Sequence, residues 1–111
     1  MFISPILLVL AAAQAGASVP ATRDRFAACL KKEVIAGLKE QLEPDVFRTG
    51  FATKCTAEEG NYRAAMVSAD LKSGSSKADA NEIADDEISY WREKFEDDYQ
   101  GYFDNKEIPV E

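Results

Sequence analysis

The sequence contains no histidine. That removes the commonest general base, the commonest transition-metal ligand and the usual pH switch near neutrality. A Ser-His-Asp or Cys-His device cannot be assembled from this chain alone. Positive charge is also scarce, with 13 Lys and Arg against 20 Asp and Glu and a net charge of −7. Binding to DNA or RNA requires clustered cations that neutralise phosphate, so no nucleic-acid partner is expected. Electrostatic docking on an anionic membrane surface is disfavoured for the same reason. Length is short as well: 111 residues allow one small domain. No strand-like alternation extends beyond four residues, and there is no internal repeat.

One hydrophobic run is present, at the start. The first 22 residues carry no ionisable side chain, and residues 6–13 read Ile-Leu-Leu-Val-Leu-Ala-Ala-Ala. Small residues follow at Ala15-Gly16-Ala17, where a signal peptidase would act, with Ala13-Gln14-Ala15 as a second site. Residues 1–17 are therefore expected to be a cleaved secretory signal, although the segment before the run lacks Lys and Arg. The competing reading is an uncleaved membrane anchor, since residues 2–21 approach spanning length. Pro5, Gln14 and Gly16 make a poor span, so no stable insertion after cleavage is expected. The mature domain is then residues 18–111, periplasmic or secreted.

Two cysteines, Cys29 and Cys55, are the only ones. An even count in an exported chain reads as one disulfide. The chain is expected to reverse at Leu42-Glu43-Pro44-Asp45, because Pro44 cannot continue a helix. Cys29 and Cys55 then lie equally far from Leu42 along two antiparallel helices, which brings them to the same height. A redox pair is disfavoured because the cysteines are not in a Cys-x-x-Cys arrangement. A metal site is disfavoured by two thiols with no imidazole. A lipid-modified Cys29 after Phe26-Ala27-Ala28 is disfavoured by the charges at Arg23, Asp24 and Arg25 that separate it from the apolar run.

The rest of the pattern is helical. Thr22 is a candidate cap for a first helix over about 22–42, in which Phe26, Leu30, Val34 and Leu38 recur every four residues. A second helix, about 44–71, carries Phe47, Phe51, Cys55, Tyr62, Ala65, Met66 and Ala69 in one phase. That phase favours one continuous helix. The capping-box sequence Thr56-Ala57-Glu58-Glu59 and Gly60 argue for a break. Ser73-Gly74-Ser75-Ser76 is a linker, and Ser76 can cap a third helix over about 76–102. Ala80, Ala84, Ile88, Trp91, Phe95, Tyr99 and Tyr102 form its apolar stripe, read as core rather than as an aromatic ligand platform. Tyr90 and Phe103 lie off that stripe and are expected at the surface. Residues 104–111 are expected to be a non-helical tail. The fold expected is all-α: a small three-helix bundle, a helical hairpin plus an aromatic-rich third helix, with one disulfide.

Charge is unevenly spread. Residues 18–77 hold ten Lys and Arg and eight Asp and Glu, whereas residues 78–111 hold three and twelve. Glu82, Asp86, Glu93 and Asp97 lie opposite the apolar stripe and form a candidate docking face for a basic protein. The plainer reading of the same face is a solubilising surface. Residues 96–107 align with a calcium loop and resemble an EF-hand, with Asp98, Gln100, Gly101, Asp104 and Glu107 at positions 3, 5, 6, 9 and 12. Glu96 at position 1, Gln100 and the following Pro109 depart from that pattern. The expectation is therefore a non-enzymatic protein binder, an inhibitor, adaptor or stress chaperone, with no cofactor and no metal. The alternative is a cation- or calcium-binding module in the acidic last third.

Overall fold

A computed structural model describes residues 17–111, and the signal segment expected over residues 1–17 lies, except for Ala17, outside the described residues. Four helices follow in order: α1 (Val19–Lys39), α2 (Pro44–Phe51), α3 (Thr56–Lys72) and α4 (Lys77–Asn105). The described residues form no strand. Helices α1, α3 and α4 pack together as the expected three-helix bundle, with the short α2 leaning on α4.

Helix α1 starts earlier than expected. Its cap is Ser18, whose Oγ accepts the Ala21 N–H at 3.1 Å, with Pro20 in the first turn where a fixed φ is favourable. Thr22 is not a cap: it is buried one turn in, and its hydroxyl donates to the Ser18 and Val19 carbonyls. Phe26, Leu30, Val34 and Leu38 are buried as the four-residue spacing requires.

The helix expected to run unbroken over 44–71 is two helices. Helix α2 ends at Phe51, and tight turns from the Thr53 and Lys54 N–H groups lead to Cys55, which holds a left-handed φ of 62° before α3 begins. Arg92 on α4 stabilises this elbow. Its Nη1 donates to the Phe51 carbonyl at 3.0 Å and its Nη2 to the Lys54 carbonyl at 2.7 Å. Its Nε donates to Glu59 Oε1 at 2.7 Å, and the guanidinium lies over the Phe26 and Phe51 rings. A fork of five donors can satisfy the carbonyls that the broken helix leaves open. Phe47 and Phe51 before the break, and Tyr62 and Met66 after it, still face one core.

Cys29 and Cys55 form the disulfide, with Cα atoms 5.9 Å apart. Cys55 is the N-cap of α3. The bond therefore ties the middle of α1 to the elbow rather than clamping a straight hairpin. Beyond the elbow, the turn after α1 is fixed by the Tyr99 hydroxyl, which donates to the Leu42 carbonyl at 2.7 Å. The Tyr99 ring stacks on Phe47 with centroids 3.7 Å apart.

Candidate functional site

Helix α4 is the longest element, at 29 residues. Ser76 caps it by accepting the Asp79 N–H at 3.1 Å, and Asp79 places a negative charge in the first turn. Ala80 and Ala84 are fully buried, so the start of α4 approaches the bundle closely. Ile88 and Tyr99 continue the buried stripe, with Trp91, Phe95 and Tyr102 partly buried beside them. The stripe is core, as its spacing implies. Phe103, expected at the surface, instead packs on this core, with its ring 6.2 Å from that of Tyr99. The helix also outlasts its expected end by three residues and stops at left-handed Lys106.

The opposite face of α4 carries Glu82, Asp86, Glu93 and Asp97, all exposed. Their spacing places them on one stripe, about 22 Å from first to last at the rise of an α-helix. None of the four forms an ion pair among the described residues. Neighbouring acids do. Asp85 pairs with Arg63 of α3, Glu96 meets Arg48 of α2 at 3.9 Å, and Asp98 accepts from Lys94 at 2.9 Å. The Asp98 hydrogen bond raises the Lys94 pKa and holds the amine charged. Asp85 and Glu96 thus tie α4 to α3 and α2, Asp98 is paired within α4, and the outer crest of the helix is left free. Tyr90 and Ile83 break the acidic surface with apolar area, 57% and 48% exposed. Tyr90 is legible as a surface residue from its place off the stripe. Ile83 escapes the sequence reading, although an aliphatic residue off the core stripe is the available signal.

The stretch resembling a calcium loop does not form one. Residues 96–105 are helical, Gly101 is inside the helix, and Gln100 donates to Asp104 at 3.0 Å along it. A helix points these side chains around its axis, whereas the loop must wrap them around one ion. Among the described residues, no three Cys, Asp or Glu side chains converge as a metal site.

Among the described residues, open hollows mark the surface. One of about 180 Å³ lies between α1 and α2 over Gly37 and Phe47. Two others, about 500 and 270 Å³, lie along the seam of α1 and α4 near Tyr102. Two buried tyrosines have raised pKa values. Burial is the main cause for both, with Glu87 adding to it at Tyr62, and Glu43 and Glu40 at Tyr99. No helix among the described residues is long and apolar enough to cross a membrane.

No protein-family model, curated protein or solved structure matches this chain. The surfaces themselves must carry the functional reading.

Proposed function

We propose that this is a small exported protein that acts without catalysis by binding a basic protein on the outer face of α4, as an inhibitor, adaptor or stress chaperone would. The carrying observation is the row Glu82, Asp86, Glu93 and Asp97. It stays free of internal ion pairs while Asp85, Glu96 and Asp98 beside it are paired. A one-signed surface steers an oppositely charged partner, and the exposed Tyr90 and Ile83 add the apolar area that a docked interface needs. The apolar leader and the disulfide support export to an oxidising compartment, periplasmic or extracellular.

The test uses a basic probe protein, cytochrome c, titrated calorimetrically at low and physiological salt. Neutralising the row (Glu82→Gln, Asp86→Asn, Glu93→Gln, Asp97→Asn) is expected to weaken binding at least tenfold and leave the melting temperature in place. A control variant neutralises Asp24, Glu40, Glu43 and Glu111, so it carries the same net charge. It is expected to retain most of the affinity. Equal losses in the two variants would reduce the effect to net charge and refute a docking face.

A further inference from the structure

Past the end of α4 the chain turns back on itself. Lys106 is left-handed at φ 56°, and the Glu107 N–H closes the turn onto the Tyr102 carbonyl at 2.9 Å. Among the described residues, nothing hydrogen-bonds to residues 108–111. The strap is held by side chains alone. Ile108 lines the larger seam hollow with Leu38 and Tyr102, and Pro109 lines the smaller one with Val34, Phe95 and Tyr102. The strap therefore runs back over the line where α1 meets α4. Hollows of about 500 and 270 Å³ persist beside it, so the groove is wider than its cover.

We propose that the α1–α4 seam is a docking groove for an extended, proline-containing aliphatic segment of another protein, and that Ile108-Pro109 is its built-in competitor. The strap itself displays the chemistry that fits. A proline presets an extended backbone, and aromatic-lined grooves take such segments at low entropic cost. Displacing residues 108–111 breaks no backbone hydrogen bond, and Val110 is already 87% exposed. Tethering gives the strap an effective concentration of about millimolar, so weak ligands are excluded. A longer segment that also fills the residual hollows would outcompete it. This groove uses residues distinct from the acidic row, so either surface can fail without the other.

The test removes residues 108–111, which keeps the Glu107 turn, and reads the apolar dye 8-anilinonaphthalene-1-sulfonate. The shortened chain is expected to show several-fold higher dye fluorescence than the intact chain, with unchanged far-UV circular dichroism. The free peptide Glu-Ile-Pro-Val-Glu at millimolar concentration is expected to displace the dye from the shortened chain. In the full-length chain, the double variant Ile108→Asp, Pro109→Gly is expected to raise dye binding without shortening the protein. Dye fluorescence equal in all three proteins would overturn the proposal, as would a peptide that displaces nothing. Loss of helicity in both the shortened and double-variant proteins would also overturn it, because the strap would then be part of the core.

Discussion

Replacing Gly37 by alanine is expected to destabilise the protein, although alanine is the better helix former. Gly37 lies near the end of α1, where a Cβ would meet Phe47 Cδ1 at 2.8 Å and Tyr99 Cε2 at 3.0 Å. Neither ring has freedom to move. They stack on each other at 3.7 Å and 4°, Phe47 also stacks on Phe51, and Tyr99 is anchored through its hydroxyl to Leu42. Overpacking a buried site costs about 1–3 kcal/mol. The helix-propensity gain offsets at most about 1 kcal/mol of that. Gly60 supplies the internal comparison. It lies inside α3, and a Cβ added there would have nothing within 4 Å, so Gly60→Ala should stabilise by about 0.5–1 kcal/mol. Each kcal/mol shifts the melting temperature of a domain this size by about 4–8 °C. Thermal denaturation followed by circular dichroism should therefore place Gly37→Ala below the parent protein and Gly60→Ala above it. A Gly37→Ala protein that melts at or above the parent temperature would show that the ring stack yields, and would refute the close-approach argument.

Two further outcomes follow from the elbow and from the buried tyrosines. Arg92→Ala should lower stability in urea by about 2–4 kcal/mol, because it leaves the Lys54 carbonyl and the Glu59 carboxylate without this donor and removes one of the two donors to the Phe51 carbonyl. Arg92→Lys should recover less than half of that, since a single amine cannot serve three acceptors in a fork. Tyr62 and Tyr99 hold their protons more tightly when folded than when unfolded. Their contribution to stability is thus fully present below the ordinary tyrosine value of about 10, and is lost as pH rises through the higher folded-state values. Absorbance of tyrosinate followed against pH should show these two groups ionising at higher pH in the folded than in the urea-unfolded protein, and ionisation of both at the unfolded-state pH in a helical protein would contradict it.

How far the sequence could be read depended on the range of the interaction. The stripes of α1 and α4 were legible because four-residue spacing is a local property that burial follows directly, from Phe26 to Leu38 and from Ala80 to Tyr99. The cysteine pairing was legible because an even count and a reversal near Pro44 left one partner for each thiol. The break between α2 and α3 was legible only in part: Thr56-Ala57-Glu58-Glu59 marks the start of α3, but the inward phase of Phe47, Phe51, Tyr62 and Met66 runs across it and favours one helix. What stabilises the break is Arg92, which bonds the Phe51 carbonyl 41 residues away in sequence. No local pattern contains that contact. The acidic row could be placed on the outer face of α4 by periodicity. Which acids are free and which are paired depends on where Arg48 and Arg63 arrive, and that is a property of the fold.

The seam groove lies where α1 and α4 end at nearly the same level, with Leu38 beside Tyr102. Helix α4 has 29 residues and α1 has 21, a mismatch of eight residues or about 12 Å at the helical rise. The two cannot cover each other along their full lengths. Close packing falls at the start of α4, where Ala80 and Ala84 are sealed. Near its end the cover is looser, and Phe95, Tyr102 and Phe103 are only partly buried. Helix α2 covers part of this end by placing Phe47 on Tyr99, and the strap covers more with Ile108 and Pro109. Neither fills it. The Tyr99–Leu42 anchor fixes the turn after α1, and the next turn of α4 presents Tyr102 and Phe103 to the groove beside it, so the contact that closes the turn also positions the aromatic wall.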